Sequence, residues 1–173
     1  MKKLYILAAA AIAVAACGQK PSDLKERVES YAVVEVSSPL YDALSENDKK
    51  IVSLFRQAGE IMDGLFWKQT FGDKAEMEAV KDEYARTYAM INYGPWDHLD
   101  DNKPFVEGYG EKPLGCQYYP QDMTMKEWEA FDDPDKLNLY TVIRRDENGA
   151  LKTVWYRDEY KEELEKVCAL LEE

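Results

Sequence analysis

The segment that decides the fold reads INYGPWDHLDDNKPFVEGYGEKPLGCQYYPQDM and covers Ile91 to Met123. Its 33 residues include four glycines, four prolines and six aromatic rings, and they follow a long stretch of helical sequence. A loop of this length without a period of its own is usually either functional or disordered. Because disordered segments contain few aromatic residues, we expect this segment to form an ordered loop that packs against the domain.

Upstream of the loop, the sequence predicts two long helices. Ser45, followed three residues later by Asp48, is typical of a helix N-terminus. The apolar residues after it share one 3.6-residue period: Ile51, Leu54, Phe55, Ala58, Ile61, Met62, Leu65 and Phe66. A second helix is predicted from Asp73 to the start of the loop, with its own apolar face: Met77, Val80, Tyr84, Tyr88 and Ile91. Further upstream, YAVVEV at 31–36 is rich in β-branched residues and predicts a short strand.

Downstream of the loop, the sequence predicts a short helix, a β-hairpin and a final helix. Thr124 and Glu127 form a capping pattern before the short helix. Asn148-Gly149 favours the tight turn of a hairpin between LYTVIRR and LKTVWYR. A last amphipathic helix starts near Asp158, and five of its residues are expected to be buried: Tyr160, Leu164, Val167, Cys168 and Leu171. The predicted fold class is therefore α+β, mostly helical.

The N-terminus has the pattern of an export signal. MKKLYILAAAAIAVAAC begins with two lysines, continues with an apolar run too short to span a bilayer, and ends in small residues before Cys17. The sequence V-A-A-C resembles the bacterial lipobox, in which cleavage leaves a lipidated cysteine at the new N-terminus. We therefore expect residues 1–16 to be a signal peptide, residues 17–30 a lipidated tether and residues 31–173 the folded part. The alternative is a secreted protein in which Cys17 is a free thiol.

The residues after Cys17 indicate a location in the cell, and the net charge argues against one class of partner. GQKPSDLKE follows the cysteine without the adjacent aspartate that would retain a lipoprotein in the inner membrane. Lys20 and Asp23 favour the outer membrane, on its periplasmic or surface face, so the cell envelope is the expected location. The formal net charge of −12 is the opposite of the basic footprint that phosphate binding needs, so we expect no nucleic acid partner.

The sequence offers few residues for catalysis or metal binding. His98 is the only histidine, so a Ser-His-Asp or Cys-His arrangement could be built only around it. Zinc sites normally draw on several His or Cys ligands, so we expect no metal and no cofactor in this chain. Cys116 and Cys168 are predicted to be two separate thiols. One acidic cluster could offer oxygen ligands to calcium, but it lacks the EF-hand spacing and is better explained as a solvated acidic turn: Asp97, Asp100, Asp101 and Asn102.

The aromatic residues of the loop are the candidates for a binding site. Tyr and Trp side chains combine a large apolar area with a hydrogen-bonding tip, so they could line a cleft for a peptide or a sugar. The candidate cleft residues are Tyr93, Trp96, Tyr118, Tyr119 and the neighbouring Asp122. The same rings could instead form the loop's own core, and for each ring taken alone this interpretation is favoured.

Motifs in and after the loop resemble a known family. YGPWDHLDDNKPF, the later GCQYYPQDM and the acidic helix with Trp128 resemble the N-terminal part of the dipeptidyl-peptidase III zinc metallopeptidases, in their bacteroidete lipoprotein branch. Plant relatives fused to a Nudix domain share the pattern. The similarity extends from LKERVESYAVVEV through IMDGLFWKQTFGDK to the final helix. The chain departs from the family at His98, where Arg is usual, and at Cys116-Gln117, where Ala-Asn is usual.

The resemblance implies one piece of a two-lobed peptidase. Family members bind one zinc through an H-E-x-x-G-H helix and an E-E-x-R helix, and the first Glu activates water at the metal. Neither motif occurs in the 173 residues. The resemblance therefore implies no catalytic residue here and places the family's zinc downstream. It also implies that this segment helps to build the lobe that faces the zinc lobe across a peptide-binding cleft.

Two functions remain open at this point. The first is the N-terminal lobe of a dipeptidyl-peptidase III-like enzyme, inactive alone and encoded by a truncated or split gene. Its expected partners are the membrane, the missing C-terminal peptidase region and, once the two are reconstituted, peptides. The second is a self-contained lipoprotein that binds a peptide, a glycan or a partner protein through the aromatic loop. The last helix should discriminate between them, because only the first hypothesis expects its apolar residues to face water: Leu164, Val167 and Leu171.

Lipidation of Cys17 can be tested by substitution. Cys17→Ser removes the thiol that would carry the acyl chains, so the protein is expected to move from the membrane to the soluble fraction. Cell fractionation and the mass of the N-terminal peptide measure this change. Cys116→Ser is the matched control and should stay in the membrane. Unchanged fractionation of the Cys17 variant, with no acyl mass on the wild-type peptide, would rule out the anchor.

Overall fold

The computed structural model of the chain describes residues 21–35 and 37–173. The predicted signal peptide and Cys17 lie outside these residues. The described elements are, in chain order, α1 (Pro21–Glu29), α2 (Pro39–Asp42), α3 (Glu46–Thr70), α4 (Lys74–Glu78), α5 (Glu83–Asn92), β1 (Trp96–Asp97), β2 (Lys103–Pro104), α6 (Met125–Ala130), β3 (Thr141–Arg145), β4 (Leu151–Trp155), α7 (Tyr156–Glu159) and α8 (Lys161–Glu172). The fold class is α+β and mostly helical, which confirms the prediction. None of these helices is both long and apolar enough to cross a bilayer.

The core forms where α1, the end of α3, α4 and α5 meet the first half of the long loop. Its buried members come from all of these parts: Leu24, Trp67, Phe71, Met77, Ala85, Tyr88, Ala89, Trp96, Phe105 and Val106. Leu24 on α1 is only 3% exposed, and α1 packs along α5. The boundary predicted at residue 30, between tether and folded part, thus falls at the C-terminal end of a packed helix.

Helix α3 starts at the predicted cap, but its apolar face is only partly covered. Ser45 Oγ accepts a hydrogen bond from the backbone N–H of Asp48 at 3.2 Å. Of the eight apolar residues that share the predicted helical period, only Ala58 and Leu65 are buried. α8 packs along one side of α3, and the side away from that contact stays exposed. Four of the eight are exposed to solvent: Ile51, Phe55, Met62 and Phe66.

The second predicted long helix is divided into α4 and α5. Asp82 interrupts it, because its carboxylate accepts a hydrogen bond from the N–H of Ala85 at 2.8 Å and so caps a new helix. The side chain of Arg86 then donates to the carbonyl of Val80 at 2.8 Å. This hydrogen bond replaces the helical one that the carbonyl loses where the helix is interrupted. The apolar period alone predicted one continuous helix, because it carries no information about this competing cap.

The strand predicted at 31–36 is absent from residues 31–35, which are irregular and exposed, while Val36 lies outside the described residues. β-branched composition is not sufficient, because a strand needs a hydrogen-bonded partner and a face to bury. The strands of the described chain pair only within two hairpins, β1 with β2 and β3 with β4.

The predicted hairpin at 141–155 is present and is the second organising unit of the fold. Its turn contains Gly149 with a φ of 81°, and Ile143 on β3 lies opposite Thr153 on β4. Val142 and Ile143 are each only 1% exposed. The other edge of β3 is taken by the long loop, since the N–H of Ile143 donates to the carbonyl of Tyr118 at 2.8 Å. The loop and the hairpin therefore form one packed unit.

The final helical segment consists of α7 and α8, joined at Tyr160. Tyr160 is buried, and Leu164 and Val167 are half-buried where α8 packs on α3. Cys168 and Leu171 are exposed, so the prediction that they are buried is wrong. The helix face is thus covered in its N-terminal part and open at its C-terminal end. Exposure of this helix therefore does not discriminate between the two functions considered above.

A buried ion pair ties α1 to the loop. Asp97 is fully buried, and its carboxylate pairs with the guanidinium of Arg27. The other carboxylate oxygen of Asp97 accepts a hydrogen bond from the N–H of Leu99 at 2.9 Å. A hydrogen bond with Tyr88 raises the pKa of Arg27, and burial raises the pKa of Tyr88. Arg27 is thus the cation that makes burial of Asp97 tolerable.

Arg27→Met should therefore destabilise the chain strongly. It leaves a buried carboxylate without its cation, which costs about 3 kcal/mol, the lower end of the range for broken buried pairs because Arg27 is partly exposed. The matched control is Arg56→Met, which breaks an exposed pair with Glu60 on the surface of α3 and should cost less than about 0.5 kcal/mol. Urea unfolding measures both. Equal losses in the two variants would contradict the role given to the buried pair.

Candidate functional site

The long loop has two halves with different neighbours, and its first half, residues 93–110, lies in the helical core. Tyr93 ends α5 with a left-handed φ of 52°, and its hydroxyl donates to Asp63 at 2.5 Å. Trp96 is buried, and its Nε1–H donates to the carbonyl of Gly110 at 2.9 Å. These two candidate cleft residues are therefore part of the loop's own core.

The acidic cluster of the loop is a turn built around Asp97. The carbonyl of Asp97 accepts a hydrogen bond from the N–H of Asn102 at 2.9 Å, closing the turn between β1 and β2. Asp101 and Asn102 are exposed, as expected for a solvated acidic turn, but Asp97 is buried against Arg27 and does not fit that description. In the described part of the chain, no cluster of three or more His, Cys, Asp or Glu residues is arranged to hold a metal ion.

The second half of the loop, residues 115–123, packs against the hairpin. Tyr118 lies beside β3 through its carbonyl's hydrogen bond with Ile143, and its hydroxyl donates to the side chain of Gln69 at 3.3 Å. Burial raises the pKa of Tyr118, so its hydroxyl stays neutral at physiological pH. The ring of Tyr119 meets the ring of Trp128 edge-on, with 5.6 Å between the centroids. This half of the loop is therefore held between α3, α6 and the hairpin.

Tyr119 also lines a groove between the end of α3 and the hairpin. The groove has a volume of 720 Å³, and its walls come from α3 with the turn after it, from residues 117–121, and from the hairpin with α7. Its lining combines rings with charged and amide side chains: Trp67, Lys68, Gln117, Tyr119, Arg144 and Tyr160. It is larger than the cavity of 280 Å³ beside Tyr118, and we take it as the candidate site among the described residues.

Two cationic side chains of the groove, Arg144 and Lys68, already have acidic partners. Arg144 Nε donates to Glu159 at 2.7 Å, and its Nη1 donates to the carbonyl of Gln117 at 3.0 Å. Lys68 pairs with Glu163, and this contact lowers the pKa of the glutamate. The lining contains no Ser, Thr, Cys or His. The groove can therefore hold a ligand through ring contacts and hydrogen bonds.

Asp122 closes the loop at its other end and does not line the groove. Both of its carboxylate oxygens accept hydrogen bonds from Arg145 Nε, at 3.1 and 2.9 Å. Arg145 also donates to Glu127 at 3.0 Å. The hydrogen bond from Arg145, followed by that from the N–H of Thr124, lowers the pKa of Glu127 to about 2. Asp122 thus fixes the end of the loop to the hairpin and to the cap of α6.

His98 and its neighbours do not fit a zinc site. The Nε2 atom of His98 lies 3.0 Å from the ammonium of Lys112. Burial and the charge of Lys112 lower the pKa of His98, so the ring is neutral at pH 7. A zinc site needs several neighbouring Cys, His or carboxylate ligands, and a lysine ammonium next to the only histidine opposes a second positive charge. The zinc of the resembled family therefore has no site around His98.

The structure separates the five candidate residues that the sequence indicated. Tyr93 and Trp96 belong to the core, Asp122 belongs to an ion-pair cluster, and Tyr119 lines the groove. Tyr118 lies beside a second, smaller cavity of 280 Å³ that it shares with Tyr119. Of the five candidates, only the adjacent Tyr118 and Tyr119 border a cavity.

Three groove residues are not among the candidates that the sequence indicated. Trp67 comes from α3, Arg144 from β3 and Tyr160 from the junction of α7 and α8, and they meet only in the folded chain. The helical period correctly placed Tyr160 on a buried helix face, but it did not indicate that Tyr160 borders a groove. Arg144 offered a partial signal, because an arginine that follows the buried residues of a strand needs an acidic partner.

Gly115→Ala should distort the groove wall. Gly115 has a φ of 76°, and an added Cβ would overlap the ring of Tyr119. The variant should lose about 1 to 2 kcal/mol to backbone strain and about 1 to 3 kcal/mol more to overpacking. The matched control is Gly108→Ala, which has a φ of 93° with nothing within 4 Å of its Cβ. Urea unfolding and near-ultraviolet circular dichroism measure the difference, and equal behaviour of the two variants would contradict the predicted overlap.

Two solved structures share the fold over most of this chain. Dipeptidyl-peptidase III from Caldithrix abyssi matches 85% of the chain at 31% sequence identity and a TM-score of 0.74. Dipeptidyl-peptidase III from Corallococcus sp. strain EGB matches 87% at 28% identity and a TM-score of 0.77. Among curated proteins, Nudix hydrolase 3 from Arabidopsis thaliana is 24% identical over 141 residues, which covers 61% of this chain. No family model matches the chain.

The matches cover only part of each relative. The chain spans 30% of the length of each solved structure and 18% of the length of the plant protein. Within that span, the chain shares both sequence and fold with the two solved structures. These matches confirm the resemblance that the YGPW and YPQDM motifs indicated. The chain therefore contains a dipeptidyl-peptidase III-like region, and this region forms a peptidase-like lobe.

Proposed function

We propose that this chain is the N-terminal lobe segment of a dipeptidyl-peptidase III-like enzyme and that it is inactive alone. The observation that supports the proposal is the match to two dipeptidyl-peptidase III structures over 85% and 87% of this chain, which spans only 30% of each. The activity for which those proteins are named belongs to much longer polypeptides. On this view, the chain contributes a wall of the peptide cleft, and the chemistry comes from another region.

The residues of the chain explain why catalysis would have to come from elsewhere. A zinc peptidase needs a metal with an open position and a base that activates water. The sequence has one histidine and neither of the zinc-binding motifs of the resembled family. The groove has tyrosines and paired charges, which can position a peptide without reacting with it. The chain would therefore act together with the C-terminal peptidase region of such an enzyme, and its peptide ligands would bind to the joined pair.

We also propose that the lobe is held in the cell envelope by lipid on Cys17. The lipobox-like V-A-A-C sequence and the signal-like residues before it support this anchor. Two or more acyl chains anchor a protein stably, where a single chain does not. The outer membrane, on its periplasmic or surface face, is the proposed location.

A second candidate function is favoured by the groove. A volume of 720 Å³ with Trp67, Tyr119 and Tyr160 in the lining lies within the usual size range of ligand sites. The chain could then be a self-contained lipoprotein that binds a peptide, a glycan or a partner protein. Aromatic rings with paired polar groups would hold an extended peptide or a sugar by contact area and hydrogen bonds. This function requires binding by the chain alone, which the first function does not.

The purified chain should show no dipeptidyl-peptidase activity. It would be assayed on dipeptidyl-arylamide substrates with added zinc, with the Caldithrix abyssi enzyme as the positive control. No turnover is expected, because the ligands for a water-activating zinc are missing. Turnover that a chelator abolishes would contradict the proposal.

A chimera tests the other part of the proposal, that this chain can serve as the N-terminal lobe segment of an active enzyme. The segment of the Caldithrix abyssi enzyme that matches this chain would be replaced by residues 21–173, and arylamide hydrolysis would be measured. Hydrolysis by the chimera supports a functional lobe. A chimera that is folded by circular dichroism and binds zinc but does not hydrolyse the substrate argues against it. Peptide or glycan binding by the unmodified chain alone would then favour the second candidate function, a self-contained lipoprotein that binds a ligand.

A further inference from the structure

The hydrogen bonds at the two ends of the hairpin define which backbone groups of β4 point away from β3. Backbone groups in an antiparallel pair point alternately toward the partner strand and away from it. At one end, the N–H of Tyr156 donates to the carbonyl of Tyr140 at 2.9 Å. At the other end, the N–H of Asp146 donates to the carbonyl of Ala150 at 2.8 Å. Counting in steps of two from residue 150 and from residue 156 therefore gives the same alternation along β4.

The groups of β4 that point away from β3 belong to Leu151 and Thr153. On β3, the residue opposite Thr153 is Ile143, and its outward N–H donates to the carbonyl of Tyr118 at 2.8 Å. The outer edge of β3 therefore has a partner in the long loop. Within residues 21–35 and 37–173, no group outside the hairpin is hydrogen-bonded to the N–H and C=O groups of Leu151 and Thr153. In this part of the chain, β4 is thus an open sheet edge.

The side chain of Thr153 also indicates a missing neighbour. Its Oγ1 is the only buried side-chain oxygen or nitrogen without a hydrogen-bond partner among the described residues. Buried polar side chains in native proteins are nearly always hydrogen-bonded. Opposite residues of adjacent strands point to the same face, and threonine hydroxyls form hydrogen bonds between such residues. A further strand beside β4 would place a side chain of this kind next to Thr153.

β4 lacks most of the devices that protect natural edge strands from further pairing. Such strands usually carry prolines, several charged residues or a β-bulge. The sequence LKTVW has one charged residue, Lys152, and its five residues pair with β3 in continuous register. Strand β3 is covered on both faces, because Val142 and Ile143 point to opposite faces and are both buried. The hairpin therefore resembles part of a larger sheet that ends at β4.

The chemistry of this edge is matched by an extended backbone. The outward N–H and C=O groups recur every two residues, which is about 6.6 Å along a strand. A neighbouring strand offers its own N–H and C=O groups with the same repeat, as in recognition by strand addition. No residue of β4 lines the 720 Å³ groove or the 280 Å³ cavity. The edge is therefore separate from both cavities, which argues against a ligand held in either of them.

We propose that β4 pairs along its outer edge with a strand from the part of a dipeptidyl-peptidase III-like enzyme that this chain does not span. The inference rests on the proposed function, in which the chain acts together with a C-terminal peptidase region. The chain spans 30% of the length of each similar structure, so most of such an enzyme is available to supply the strand. The net charge of −12 argues against a second copy as the occupant, because strongly charged chains repel one another.

Hydrogen exchange at single N–H groups tests the pairing in the purified chain and in the chimera with the Caldithrix abyssi enzyme. In the chain alone, the N–H groups of Leu151 and Thr153 should exchange freely. In the folded chimera, both should exchange at least about tenfold more slowly, because a hydrogen bond to the added strand must open first. Lys152 and Val154 are the internal control, since their N–H groups point to β3 and should be protected in both proteins.

A proline substitution tests the same edge by removing one outward N–H. Proline is tolerated where the N–H of an edge strand faces solvent, so Thr153→Pro should change the thermal unfolding midpoint of the chain alone only slightly. In the chimera, the same substitution removes a hydrogen bond to the added strand and should lower the midpoint. Lys152→Pro is the matched control, because it removes an N–H that points to β3 and should lower the midpoint of both proteins.

The outcomes separate this inference from the proposed function. The inference is overturned if Leu151 and Thr153 are already protected in the chain alone; protection that falls on dilution would identify a second copy as the occupant. It is also overturned if an active chimera leaves both N–H groups in free exchange, and the proposed function then stands. A folded but inactive chimera with both groups protected supports the strand pairing and counts against the proposed function. In the Caldithrix abyssi enzyme itself, free exchange at the two aligned positions would overturn the inference whether or not the chimera folds.

Discussion

The ion pair between Arg27 and Asp97 is the constraint on which the rest of the structure depends. Asp97 is fully buried, and a buried carboxylate is tolerated only with a cation and further hydrogen bonds. Meeting that requirement brings α1 onto α5 and fixes the turn that follows Trp96. With the turn in place, the N–H of Phe105 donates to the carbonyl of Pro95 at 2.9 Å. The aromatic core then closes around these residues.

The long loop joins the helical core to the hairpin, in addition to the contact of α8 with α3. Its first half completes the helical core, and its second half adds to the hairpin. Gln117 is the joint: its N–H donates to the carbonyl of Gln69 at 3.0 Å, and its side chain donates to the carbonyl of Phe71 at 2.6 Å. Its own carbonyl accepts from Arg144 at 3.0 Å. One residue thus ties α3, the loop and the hairpin together.

The groove beside Tyr119 has features of a binding surface. It offers rings and paired charges on a rigid frame, and rigid frames with irregular loops are where binding sites are usually found. Its lining contains no Ser, Thr, Cys or His, and the only histidine of the chain has a lysine beside it. Such a surface can hold and orient a ligand through ring contacts and hydrogen bonds.

The sequence by itself determined the features whose partners lie within a few residues. The cap of α3 at Ser45, the capping box of Thr124 with Glu127 and the hairpin turn at Asn148-Gly149 are all present, because each depends on contacts between near neighbours. The aromatic content of the loop likewise indicated that it would be packed. Only the tertiary structure decided that Asp97 is buried, that half of the α3 face is exposed and that Tyr119 meets Arg144 at a groove. Those outcomes depend on residues far apart in the chain, and neither helical period nor composition records which distant surfaces will meet.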